Sequence, residues 1–283
     1  MRWKDREESS NIEDRRGMSG SGKAGLGIGG IVLVVVIALA TGQDPLQLLG
    51  QVSQQAPATS TGQDYKGGPR EEELKKFTSV VLNDTETVWN ALFKRRGRQY
   101  VEPKLVMFTG TVQSGCGTAD AGMGPFYCGN DQKVYIDLSF YDMLKEKFGA
   151  EGDFAQAYVI AHEVGHHVQN QLGTLEKVHA MRQRMSQSEY NQLSVRLELQ
   201  ADFYAGVWAN HAKEMAGLDQ RDLESALKAA SAIGDDSIQK RSQGYVKPDA
   251  FTHGTAEQRQ RWFLKGWQTG DITQGDTFSV KNP

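Results

Sequence analysis

The chain has 283 residues, 39% of them hydrophobic, with a formal net charge of −3 and a sequence pI near 6.1. That is enough apolar material for one or two cored domains. No strongly basic stripe is present to track phosphates, which excludes a nucleic-acid partner, and internal repeats and long low-complexity tracts are absent.

The first strong signal lies at residues 24–42, AGLGIGGIVLVVVIALATG, which carry no charge over 19 positions. At about 1.5 Å per residue, a helix of that length matches the hydrocarbon core of a bilayer. Arg2, Lys4, Arg6, Arg15, Arg16 and Lys23 precede the segment, and the next basic residue after it is Lys66. The positive-inside rule therefore predicts a single-pass inner-membrane protein, with residues 1–23 as a cytoplasmic leader and the rest extracytoplasmic. A cleaved signal peptide ending near Ala38-Leu39-Ala40 is the alternative. The long leader of mixed charge favours the anchor, and both readings export the remainder.

Residues 43–70 are rich in Gln, Ser, Thr, Gly and Pro, the composition of a flexible linker. The folded domain is expected over 71–283. Leu74, Phe77, Val81, Val88 and Leu92 recur at helical spacing over 71–95. Residues 104–113 read as a strand, and 114–130 as a glycine-rich loop. Cys116 and Cys128 flank that loop, and an even pair in an exported domain reads as one disulfide, stabilising by about 3 kcal/mol. Val134, Ile136, Leu138 and Phe140 alternate along a strand over 134–141. That strand is a candidate edge for pairing with an extended peptide.

The remainder reads as helical. One helix is expected from Asp153 to Leu172, stopped by Gly173. Ser186 and Glu189 form a capping box that opens a helix to about His211. Asp219 opens another, ending at Gly234. Thr255 and Gln258 form a further capping box, opening a helix through Trp267. A small antiparallel sheet followed by a helical bulk makes an α+β domain.

The chemistry centres on His162-Glu163-Val164-Gly165-His166. Residues four apart share a helix face, so two imidazoles can reach one ion while Glu163 lies beside it without ligating. A hydrolytic zinc site needs three protein ligands and an open fourth position. The HExxHxxGxxH scheme is excluded, because Gln169 and Leu172 stand at its remaining positions. Glu198, in Glu198-Leu199-Gln200-Ala201-Asp202, is the candidate third ligand. Asp202 shares its face and is the candidate acceptor for a ligating histidine's free N–H, and Ala201 is small enough for close helix approach.

HEVGHH, LELQADFYAGVW, the stretch SGCGTADAGMGPFYCGNDQKVYIDLSFY and the C-terminal THGTAEQRQRWFLKGW together resemble the bacterial neutral zinc metallopeptidase family. The opening MRWKDREESSNIEDRRG and the apolar segment are similar too, so the resemblance spans nearly the whole chain except the linker. It implies a zincin-like fold, Zn²⁺ as cofactor, and hydrolysis of a peptide or protein substrate that it does not identify. Glu163 is then the general base. His253, in Thr252-His253-Gly254-Thr255, is the candidate for stabilising the developing oxyanion, with Tyr245 in reserve. His167 points away from the metal face, His179 falls in a polar connecting region, and Trp262, Phe263 and Trp267 are core. The competing function is a non-catalytic or latent zinc-binding scaffold at the membrane surface that needs a regulatory protein partner. An intact Glu163 argues against a pure scaffold, which has no use for a base.

Overall fold

The computed structural model describes residues 1–18 and 65–283. Met1–Arg15 and Gly67–Pro283 form one compact unit; the second unit, Arg16–Lys66, lies almost wholly outside the described residues. The membrane segment expected at 24–42 and most of the linker expected at 43–70 are among those outside. Among the described residues, no helix is long and apolar enough to cross a membrane.

The unit is mixed α+β and mostly helical. Its sheet has four strands: β1 (Ile12–Asp14), β2 (Lys104–Phe108), β5 (Phe126–Cys128) and β6 (Lys133–Asp137), in the order β1-β2-β6-β5. β1, β2 and β6 run parallel, and only β5 is antiparallel. The expected antiparallel sheet is therefore a mixed one. The parallel pairing of β1 with β2 uses the long connection that contains α1 (Pro69–Arg95). α1 starts on Pro69 with Glu71 and Glu72 in its first turn and ends on Lys94 and Arg95, matching charge to the helix dipole.

The strand expected over 104–113 breaks in two. Gly110 takes a φ of 74°, which glycine adopts without strain, and turns the chain into a hairpin of β3 (Thr111–Ser114) and β4 (Gly117–Asp120). The glycine-rich stretch expected as loop thus holds β4 and β5, and the Cys116–Cys128 disulfide ties the hairpin turn to the end of β5. The strand expected over 134–141 stops at Asp137. Its carboxylate accepts the backbone N–H groups of Ser139 (2.9 Å) and Gly110 (2.8 Å), turning the chain into α2 (Phe140–Glu146). β6 is also paired on both sides, so it is not an edge; β5 is.

The longer of the remaining helices follow their sequence signals closely. α3 (Asp153–Leu172) ends on a left-handed Gly173, and α4 (Thr174–Met181) follows. α5 (Gln187–Ala216) opens with the Ser186–Glu189 capping box and runs past His211 to a left-handed Gly217. An Asp219–Asp222 box opens α6 (Gln220–Ala232), and Gly234 separates it from α7 (Asp235–Gln243). α8 (Ala256–Thr269) carries the Thr255–Gln258 box. A Cβ on Gly165 of α3 would lie 2.8 Å from the carbonyl oxygen of Ala201 on α5. A Cβ on Gly266 of α8 would lie 2.1 Å from that of Phe203. Small residues thus bring three helix backbones close together around α5.

The N-terminal residues differ most from the sequence reading. Residues 1–15 are not separate from the domain but part of it. Trp3 packs edge-on against Phe77 of α1 and donates its indole N–H to Asp153 of α3 at 2.9 Å. Arg6 forks onto the buried Asp84, with Nη1 at 2.7 Å from Oδ2. β1 then adds itself to the sheet beside β2.

Candidate metal centre

α3 is buried on nearly all sides, and its middle turns place His162 and His166 on the cleft between it and α5. The close contact of Gly165 with Ala201 sets Glu198, one turn earlier on α5, opposite both rings. Glu198 Oε2 lies 3.1 Å from His162 Nε2, and Oε1 lies 3.5 Å from His166 Nε2. Among the described residues, these three form a group whose ligand atoms all lie within 4.8 Å of one another.

The far nitrogen of each ring is already engaged. His162 Nδ1 lies 2.8 Å from Asp202 Oδ1, and His166 Nδ1 lies 2.9 Å from Gln169 Oε1. Carboxylate and amide oxygens can only accept, so each Nδ1 carries a proton, and each Nε2, turned to the cleft, is the nitrogen left to hold a cation. Gln169 is held in turn by donating to Leu197 O at 2.6 Å and Gln200 Oε1 at 3.1 Å. Two oriented imidazoles, a carboxylate and an open side facing a cleft of about 480 Å³ suit a tetrahedral divalent cation.

Asp202 is fully buried and is the centre of a second network. It accepts Tyr158 OH at 2.5 Å, Arg259 Nε at 2.8 Å and Arg259 Nη2 at 3.0 Å, besides His162. Burial opposes its ionisation, but Arg259 and His162 outweigh it and hold its pKa at about 2. Burial likewise opposes protonation of His162, yet Asp202 and Glu198 raise that ring to about 10. Cation uptake must therefore displace a proton, and affinity falls with falling pH. Glu163 lines the same cleft, 8% exposed. Burial raises its carboxyl, making it a stronger base than a free glutamate, although the two histidines pull it back.

His253 forms part of the cleft wall, its side chain half exposed. Its Nδ1 lies 3.2 Å from Asp235 Oδ1, and Asp235 Oδ2 accepts the backbone N–H groups of Thr252, His253 and Gly254. Burial would lower the His253 pKa, but the bond from Asp235 raises it. Tyr245 is 62% exposed and does not line the cleft. His167 is buried and points away, Nδ1 on Tyr127 OH at 2.9 Å and Nε2 on Val101 O at 2.6 Å. Its burial lowers its pKa to about 4. His179 sits on α4 and reaches the cleft, rather than lying in a connecting stretch. Trp262 and Phe263 are core as expected, with Trp267 packed against it.

Four residues here escaped the sequence reading: Arg259, Tyr158, Gln169 and Asp235. Gln169 carried a signal, three positions after His166 on the same face, whereas Arg259 and Asp235 reach the site from helices far away in sequence.

A family model described as "Putative neutral zinc metallopeptidase" matches residues 1–278. The chain is 50% identical over 285 residues to the uncharacterized protein YpfJ of Escherichia coli (strain K12), covering 98% of this chain and 99% of that one. It is 40% identical over 249 residues to the uncharacterized protein Rv2575 of Mycobacterium tuberculosis (strain H37Rv), covering 84% of this chain and 81% of that one. No solved structure matches.

Proposed function

The chain belongs to the neutral zinc metallopeptidase family, and from that premise we propose that it hydrolyses peptide bonds with His162, His166 and Glu198 holding zinc and Glu163 as general base. The observation that carries this reading is Glu163 itself. A buried carboxylate of raised pKa beside three convergent ligand atoms has no structural bond to justify its burial among those described. A scaffold would gain stability by replacing it.

When bound, zinc supplies a Lewis acid that lowers the pKa of water to about 7 and polarises the scissile carbonyl. Glu163 takes the proton of the attacking water and delivers it to the leaving amine. Asp202 and Gln169 keep the two imidazoles turned so that Nε2 faces the cleft. Asp235 holds His253 by Nδ1 in the cleft wall, where the ring's other N–H can donate to the oxygen that gains negative charge. The peptide's own backbone finds a partner in β5, the edge strand whose Phe126 and Tyr127 line the cleft.

The test uses the full chain and its Glu163→Gln and His253→Ala variants, each measured for bound zinc and for cleavage of a mixed peptide library. All three are expected to bind one zinc. Glu163→Gln should lose about 10²–10⁴-fold in kcat, and His253→Ala about 10²-fold. Zinc retained with no cleavage by the unaltered chain would overturn the peptidase reading in favour of a scaffold or a latent enzyme.

A further inference from the structure

Residues 1–15 and Gly67–Pro283 fold as one body, and this limits how the chain can meet a membrane. The N-terminal residues are built in at three levels. In the sheet, β1 pairs with β2 in parallel register, Ile12 opposite Leu105 and Asp14 opposite Met107, with Leu105 N donating to Asn11 O at 2.9 Å and Arg15 N to Met107 O at 2.8 Å. In the core, Trp3 is 7% exposed and bridges α1 and the first residue of the metal-bearing α3. Among charges, Arg6 covers buried Asp84, Ser9 and Asn11 both donate to buried Glu86, and Glu13 meets Lys133 of β6 at 2.7 Å. Removing these residues would strip two buried carboxylates of partners and bare the edge of β2.

The chain leaves this body after Arg15 and rejoins it at Gly67. Any bilayer crossing in between must be matched by a return. The uncharged stretch 24–42 has 19 residues, and each crossing takes about 20. Residues 43–66 are too polar to supply a second. We infer that residues 1–15 and 67–283 lie on the same side of any membrane this protein meets. The single crossing read from the charge bias, with the leader in the cytoplasm and the catalytic domain outside, is incompatible with a docked β1.

The full chain carries the test, with Ser10→Cys and Lys228→Cys made separately at exposed positions. Intact spheroplasts and lysed ones are treated with a membrane-impermeant maleimide, and the unaltered chain gives the background from Cys116 and Cys128. The two added cysteines are expected to react under the same condition, either both in intact spheroplasts or both only after lysis. Reaction of one in intact spheroplasts and of the other only after lysis would overturn the inference. A carbodiimide amide between Glu13 and Lys133 should also be recovered from the unaltered chain in native membranes or extract, and its absence would equally overturn it. Neither readout depends on zinc or on cleavage, so failure of the peptidase reading leaves this result standing.

Discussion

Two buried aspartates, each forked by an arginine, sit at opposite ends of the unit's functional logic. Asp202 lies behind the metal ligands, and Asp84 lies under the N-terminal segment; both are 0% exposed. Their acidities nevertheless move apart, Asp202 to about 2 and Asp84 to about 6. In both, burial is the largest influence and raises the pKa. At Asp202 the buried Arg259 and His162 converge and reverse it. At Asp84 only Arg6 opposes it, from a partly exposed position where water weakens the attraction. The same residue pair thus keeps its charge down to strongly acid pH in one place and gives it up just below neutrality in the other. The number of donors and the enclosure of the arginine decide which.

The comparison breaks most sharply at Asp202→Ala. Arg259 would remain buried without its carboxylate, an expected loss of about 3–5 kcal/mol in urea unfolding. His162 would also lose the acceptor that sets its tautomer, so zinc affinity by competition with a chelator should fall about 10–100-fold. Arg6→Ala should cost less, about 1–3 kcal/mol, because Asp84 can take up a proton when its partner is removed. Equal losses from the two variants, measured in the same denaturant series, would contradict the distinction.

The smallest effect has opposite signs at the two sites. Asp202 has a lowered folded pKa, so its contribution is complete above the unfolded value near 4 and is lost as pH falls toward about 2. Asp84 has a raised one, so its contribution is complete below about 4 and is lost as pH rises through about 6. Unfolding measured between those limits should show Asp84→Asn gaining on the unaltered chain as pH rises from 4 to 6. A flat difference over that range would place the Asp84 carboxyl at its ordinary acidity.

The helical half of the unit was legible because its signals are local. Capping boxes at Ser186, Asp219 and Thr255 and the left-handed Gly173 act within one turn, and their helices start or stop where expected. The ligand faces were legible too, since His162 with His166 and Glu198 with Asp202 are each four apart on a helix. The sheet was less so. Its strands are three to five residues long, and their direction depends on which neighbours they meet. Nothing near Val134 tells whether β6 is an edge; β5 and β2 decide that by pairing on either side of it.

By itself, then, the sequence determined the long helices, the family and the three ligand candidates, because helix periodicity and capping are short-range physics. Only the tertiary structure brought Arg259 and Tyr158 to Asp202, set Asp235 under His253, and drew residues 1–15 into the domain. Those contacts join residues far apart in the chain, and their strength comes from burial, which no local pattern records.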